Sequence, residues 1–367
     1  MKRMLGLITT NYNFGDFGLL TKERPIASIP FGGRYRLVDF AFSNMVNSDM
    51  DSVGLITPYL YRSLLDHVGN GKAWGLARKN GGLFILPGSV YGLLNSKSKL
   101  VLRDIKGNSM FIKRTKRELL VIQSASKIFN INYKDVRDFH DKNNAAITLV
   151  YKKQENILSD TDFNLEITSD NRVLSINRKE NGPVNQFMDA IIINIDLVKK
   201  IMEWYDKQSY MDIMDIISEI LPNIAVYAYE FKDYSHNIDN MLDYMHASKE
   251  LLNINVFREL FSENRPIITK VHDAPPVKYE KKSKVTNTII SSGSIIKGQV
   301  ENSIIFRNVI IEEGAKVSNS VVFPGSYIGK NAELDNIIVE KYAKIEDGQI
   351  LKCTNDRPII ITREQFI

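Results

Sequence analysis

Two hydrophobic rhythms divide the chain. From Val285 to Leu351 apolar residues step by six: Ile305, Ile311, Val317; then Val322, Ile328, Leu334; then Val339, Ile345, Leu351. Asn-x-Ile-Ile at Asn287 recurs as Asn302-Ser303-Ile304-Ile305, Asn319-Ser320-Val321-Val322 and Asn336-Ile337-Ile338-Val339, at spacings of 15, 17 and 17 residues. A period of six, used three times per unit, predicts a triangular parallel β-helix. Each flat side supplies one inward aliphatic residue, and stacked coils bury a continuous core. Gly314, Gly325, Gly329 and Gly348 fall near the corners, where tight turns need small or φ-positive residues. Ordinary antiparallel strands are the alternative, and three consecutive registers of six argue against it. Phe306, Phe323 and Tyr327 occupy non-inward positions. They are read either as a subunit contact or as packing against the N-terminal part of the chain.

Residues 1–264 carry a different pattern. Strand-like runs are Leu5–Thr9, Val53–Thr57, Leu83–Leu86, Leu119–Gln123, Ala146–Tyr151, Val173–Asn177, Phe187–Ile193 and Ala225–Phe231. Amphipathic segments lie between and after them: Val38–Asn47, Tyr133–Lys142, Asp196–Gln208, Met211–Ile220 and Ile238–Asn253. In the second of these, Tyr133, Val136, Phe139 and His140 share one face. The alternation predicts an α/β domain with a mostly parallel sheet. Residues 265–284, with Pro266, Pro275 and Pro276, read as a linker, leaving 285–367 for the β-helix.

Composition narrows the class. The chain has 367 residues, 44% apolar and 25% charged, which excludes disordered and fibrous proteins. Net charge is +5, too mild to indicate nucleic acid. A single cysteine, Cys353, excludes an internal disulfide framework and a cysteine zinc site, and fits a reducing compartment. The apolar runs are too short to span a membrane. The N-terminal Leu5–Ile8 run is too short for a signal peptide. A cytoplasmic location is expected.

In an α/β domain the ligand site lies at the carboxyl ends of the strands. The first strand leads into Thr9–Gly18, where Gly15 and Gly18 are too sparse to form a convincing phosphate-cradling turn. The following stretch is more informative: Pro30-Phe31-Gly32-Gly33-Arg34-Tyr35-Arg36-Leu37-Val38-Asp39-Phe40-Ala41-Phe42-Ser43-Asn44-Met45-Val46-Asn47-Ser48. It resembles the ADP-glucose pyrophosphorylase (glucose-1-phosphate adenylyltransferase) family, whose pattern is Phe-Gly-Gly-Lys-Tyr/Phe-Arg-Ile-Ile-Asp-Phe-x-Leu-Ser-Asn-x-x-Asn-Ser. Leu55–Tyr59 and Ser63–Val68 continue the likeness. The resemblance implies a Rossmann-like, GT-A-like nucleotidyltransferase domain followed by a left-handed parallel β-helix. It thus covers essentially the whole chain.

Members of that family join ATP and glucose 1-phosphate into ADP-glucose and pyrophosphate. Such phosphoryl chemistry needs cationic side chains and a divalent metal. By the resemblance, this chain departs from the pattern at each point. The Thr9–Phe17 turn lacks the paired glycines and the arginine of the triphosphate loop. Ile26 stands at the family's phosphate-contacting lysine, and Pro58 at its glutamine. Ser126 stands at the aspartate that binds Mg²⁺, beside Lys127. Ile238 aligns with the second metal aspartate, and Asp239 is next to it. Of the sugar-phosphate motif only Lys179 remains. The resemblance therefore implies a non-catalytic, regulatory subunit in glycogen biosynthesis. It would need no cofactor itself, and would assemble as a hetero-oligomer, a tetramer, with a catalytic paralogue that uses Mg²⁺. An active nucleotidyltransferase with displaced metal ligands such as Asp239 is the alternative.

Anion-binding candidates follow from the same resemblance. Arg34 matches a lysine that contacts phosphorylated effectors in relatives, Arg36 a retained arginine, and Arg114 another effector arginine. Arg62 lies nearby. Residues 97–117 hold eight basic side chains against Asp104 alone, a composition suited to a sugar phosphate or nucleotide and also to a solvated face. The five histidines are dispersed, and none lies within 285–351. β-helix acyltransferases usually place a histidine base there, so that reading is disfavoured.

Overall fold

The computed structural model describes residues 1–10, 16–57, 60–88, 100–155, 162–178, 183–205, 211–354 and 358–362. The N-terminal strands are β1 (Met4–Thr9), β2 (Pro30–Phe31), β3 (Tyr35–Arg36), β4 (Ser52–Thr57), β5 (Gly82–Pro87), β6 (Leu119–Ser124) and β7 (Lys127–Phe129). They continue with β8 (Ile147–Gln154), β9 (Phe163–Ile167), β10 (Val173–Arg178), β11 (Val184–Asn194), β12 (Val226–Glu230) and β13 (Ser235–Asn237). The helices are α1 (Leu37–Asn47), α2 (Arg62–Val68), α3 (Leu102–Gly107), α4 (Ser109–Lys113) and α5 (Tyr133–Lys142). Next come α6 (Ile195–Trp204), α7 (Ile213–Ile220), α8 (Met241–Glu250) and α9 (Ile254–Leu260).

β1 is buried along its whole length, as befits a strand with helices on both faces. β6, β1, β4 and β5 run parallel in that order. β11 adds antiparallel to β6 and carries β8 and β9. Alternate residues of β1 feed opposite cores. Leu5 and Leu7 face α6 and α7, whereas Ile8 belongs with Phe42 and Met45 of α1 and Val136 of α5. The parallel strands bring Thr9, Thr57 and Ser124 to one edge. β11 is bulged between Phe187 and Ile191, and Asp189 there has φ 51°.

The repeat folds as the step of six requires. Three parallel sheets of five strands each form a left-handed β-helix. Ile305 pairs with Val322 and Val322 with Val339; Ile311, Ile328 and Ile345 stack likewise, as do Val317, Leu334 and Leu351. All nine line the coil core, with Leu351 only partly covered. The first strand of the stack is Lys278–Tyr279, paired with Ile295–Ile296, so the coils begin inside the segment read as linker. The repeated asparagines are the corner residues: Asn287, Asn302, Asn319 and Asn336 all have positive φ, which asparagine tolerates better than other side chains with a Cβ.

Phe306 and Phe323 are fully buried against the N-terminal half, so packing, and not a subunit contact, accounts for them. Their rings meet edge-on at 5.3 Å, and Tyr244 of α8 meets Phe323 at 6.3 Å. The Tyr244 hydroxyl donates to the Pro30 carbonyl at 2.8 Å. Arg24 pairs with Glu340 at 2.8 Å across the same seam. Among the described residues no helix is long and apolar enough to cross a membrane. Phe323→Ala is expected to cost about 3–5 kcal/mol, read by urea unfolding followed by circular dichroism. Tyr327→Ala, at a half-exposed position, should stay within about 1 kcal/mol of the parent.

Candidate functional site

The carboxyl edge of the sheet is the first place to look for chemistry. Most of its hydroxyls bond to the protein itself, Thr9 Oγ1 being the exception. Thr10 Oγ1 donates to the Ile56 carbonyl at 2.7 Å, Thr57 Oγ1 to the Leu86 carbonyl at 3.1 Å, and Ser124 and Ser126 share a bond of 3.0 Å. Pro58, Lys179 and residues 11–15 of the first loop lie outside the described residues.

β7 pairs antiparallel with β13, and just beyond the pair the Ile238 N–H donates to the Ser126 carbonyl at 3.0 Å. The two positions aligned with metal carboxylates are thus backbone neighbours. Neither carries a carboxylate. Ile238 is fully buried, in the same apolar cluster as Ile26, Phe17, Leu20 and Ile128. Asp239 accepts from the Asn237 amide, and its own N–H donates to Asp243 Oδ2 at 3.1 Å. Burial, reinforced by the Asp239 charge, raises the Asp243 pKa.

A hard cation such as Mg²⁺ needs several anionic oxygens. Among the described residues no three His, Cys, Asp or Glu side chains gather so as to hold a metal ion. The ammonium of Lys127 occupies this edge instead. It donates to the Phe187 carbonyl at 2.9 Å, with Asp162 at 3.5 Å and Asp189 at 3.7 Å. These residues do not fit a magnesium seat of the kind the resemblance implies. Sequence reading missed Asp162 and Asp189. The available signal was an aspartate interrupting the apolar run of β11.

The second site lies between the halves. Arg34, Lys270, His272 and Arg307 line a pocket of about 420 Å³ with Tyr35 and Ser291. The Arg34 guanidinium lies 5.2 Å from the Tyr35 ring centre. Arg36 is nearby in a supporting role: its N–H donates to Asp39 Oδ2 at 2.9 Å and its guanidinium to the Ser63 carbonyl at 2.5 Å. Asp39 also bonds His67 at 2.6 Å. Burial lowers the His67 pKa in spite of that carboxylate. Lys341 is pushed down to about 7, first by burial and then by Arg36 and Arg24. Burial also lowers Arg307, with Arg34 adding to the effect.

Of the four candidate arginines, Arg34 lines this pocket, and Arg36 lies outside the lining, bonded to Asp39 and Ser63. Arg62 and Arg114 are exposed and line no part of it. Lys270, His272 and Arg307 were not legible as members, being single cations scattered through the presumed linker and the coils. The basic stretch 97–117 also divides. Arg103, Lys106 and Lys113 border a separate pocket of about 770 Å³ with Glu203. Arg117 pairs with Asp51, and residues 97–99 lie outside the described residues.

Comparison with known proteins covers both halves of the chain. A profile described as "Nucleotidyl transferase" matches residues 19–253, and one described as "GlmU-like, C-terminal hexapeptide" matches 274–356. The chain is 30% identical over 365 residues to the glycogen biosynthesis protein GlgD of Bacillus subtilis, covering 98% of this chain and 96% of that one. It is 32% identical over 315 residues to GlgD of Geobacillus stearothermophilus, covering 86% and 83%. A glucose-1-phosphate adenylyltransferase of Bacillus cytotoxicus is 29% identical over 354 residues, covering 93% of each chain.

The depressed Lys341 supplies a signed pH effect. With a folded-state pKa of about 7 against an ordinary 10.5, the unfolded chain holds the extra proton between these values. The resulting penalty is full below pH 7 and fades as pH rises towards 10.5. Lys341→Met should therefore raise the melting temperature by roughly 5 °C at pH 6.5, a gain that shrinks steadily in scans towards pH 10.

Proposed function

Because this chain belongs to the glucose-1-phosphate adenylyltransferase family of nucleotidyl transferases, alongside its GlgD members, we propose that it is a regulatory, catalytically degenerate subunit. It assembles in the cytoplasm with a catalytic paralogue that makes ADP-glucose from ATP and glucose 1-phosphate for glycogen biosynthesis. One observation carries this reading: the positions that should present charge to the nucleotide and metal hold Ile26 and Ile238, inside one apolar cluster, and Ser126. An isoleucine in a packed cluster can neither bind phosphate nor ligate a cation. Each loss removes several kcal/mol of transition-state stabilisation of the kind such a reaction requires.

The pocket between the halves gives the subunit something to regulate with. Arg34, Lys270, His272 and Arg307 converge without a carboxylate among the lining residues. Arginine forks suit phosphate oxygens, so a phosphorylated effector is the ligand class assigned to it. The partner assembly is a hetero-oligomer, a tetramer on the family's pattern, and the Mg²⁺ of the reaction belongs to the catalytic subunit.

Purified alone with ATP, glucose 1-phosphate and Mg²⁺, the chain should form no ADP-glucose above background. Co-expressed with the catalytic paralogue, it should co-elute and change that enzyme's rate or its response to inorganic phosphate and sugar phosphates. Robust activity of the chain alone, or absence of both co-elution and any rate change, refutes the proposal. In the assembled complex Arg34→Ala should raise the half-effective effector concentration about 10-fold or more.

A further inference from the structure

Lys270 and His272 reach the pocket between the halves from the segment that the sequence presents as linker. Connecting segments are as a rule the more mobile parts of a fold, but this one is pinned repeatedly to the N-terminal half. Asn130 Nδ2 donates to the Arg265 carbonyl at 2.8 Å, and Asn47 Nδ2 to the Pro266 carbonyl at 3.0 Å. Ile268 is held hardest. Its N–H donates to Ser43 Oγ at 2.8 Å, and its carbonyl accepts from Trp74 Nε1 at 3.1 Å. Ser43 Oγ also lies 3.3 Å from that carbonyl, but a serine hydroxyl has one proton, and the Asp39 carbonyl takes it at 2.6 Å. The Ile268 carbonyl therefore depends on Trp74. Two residues further on, the Lys270 ammonium donates to the Asp66 carbonyl at 3.1 Å. The Trp74 indole is itself buried, its ring centre 4.8 Å from Phe42 and 5.8 Å from His67. Arg34 and Tyr35, which line the same pocket, lead directly into α1, and α1 carries Ser43 and Phe42. Two sets of pocket residues are thus mounted against one helix.

We infer that Trp74 is a positioning residue for this pocket: by gripping the Ile268 carbonyl it fixes the backbone that brings Lys270 and His272 to an anion held by Arg34 and Arg307. Side chains from separate segments share one anion well only when their backbones are already in place, because ordering them on binding detracts from affinity. The inference deepens the phosphorylated-effector reading of the pocket and rests on it.

Calorimetric titration of the full chain with inorganic phosphate, at constant ionic strength, tests it. Trp74→Phe keeps an aromatic ring and removes the N–H. It should weaken phosphate binding roughly 3- to 10-fold, the size of one lost hydrogen bond; a purely structural role would lower the melting temperature and leave the affinity alone. Ser43→Ala, which strips the Ile268 N–H of its acceptor, should weaken binding similarly. The two changes together should do little more than either, since both act through Ile268. The chain has two tryptophans, so in Trp204→Phe the emission reports Trp74 alone. That emission should change with phosphate at the calorimetric midpoint, and the change should vanish when Arg34→Ala is added. Silent emission while calorimetry registers binding overturns the inference, as does parental affinity in both Trp74→Phe and Ser43→Ala. If Arg34→Ala weakens binding and those two variants do not, the effector reading stands and this inference alone falls. A parent chain that binds no phosphate refutes both.

Discussion

One side of the β-helix is apolar on both surfaces, and the junction is built around covering it. Adjacent residues of a strand point to opposite faces. In the doublets Ile304-Ile305 and Val321-Val322, the second member fills the coil while the first faces outward. Left open, that outward stripe with Phe306 and Phe323 would be a large exposed patch. The N-terminal half closes it with Phe31, Phe40, Tyr244 and Leu251. Another side shows the contrast: Gln299, Lys316 and Glu333 occupy its outward positions and stay in water. The apolar side is the one that the N-terminal half covers.

Docking this side has an electrostatic consequence. The corners that flank it bring Arg307 and Lys341 towards Arg24, Arg34 and Arg36 of the other half. Like charges are crowded at the rim of an apolar seam, where water is too scarce to screen them well. Arg24 answers part of the crowding by pairing with Glu340, and Asp39 holds the Arg36 backbone. What remains is a positive pocket with hydrophobic walls. The hydrophobic requirement therefore creates the electrostatic opportunity.

Legibility followed sequence distance. The coil register could be read residue by residue, because each inward aliphatic answers to its neighbours six positions away. α1 and α5 were found nearly to their ends, being amphipathic on a local period. β9 and the short helices α2, α3 and α4 were missed, since their partners are remote and their own patterns are brief. The same limit applied to the sites. Arg34 and Arg36 lie in one recognisable stretch, whereas Lys270, His272, Arg307 and Lys341 converge only through folding. Asp162 and Asp189 acquire meaning only when β9 and β11 bring them to Lys127. The opposed readings of Phe306 and Phe323 could not be separated from periodicity, which reports that a residue points outward and not what lies there.

The carboxyl edge and the two cores of the N-terminal half make different demands on the chain. The two cores flanking β1 draw on Leu5, Leu7, Ile8, Val53 and Ile122, none of which faces a substrate. Charged groups at the carboxyl edge add nothing to those cores and cost desolvation to hold in place. Ile26 and Ile238 extend a neighbouring apolar cluster. Apolar side chains at these two buried positions favour stability. At the same edge the Lys127 ammonium stands at ion-pair distance from the buried Asp162 and Asp189. A side chain can supply the charge without supplying metal catalysis: an ammonium has no open coordination position with which to grip a phosphate and a nucleophile together.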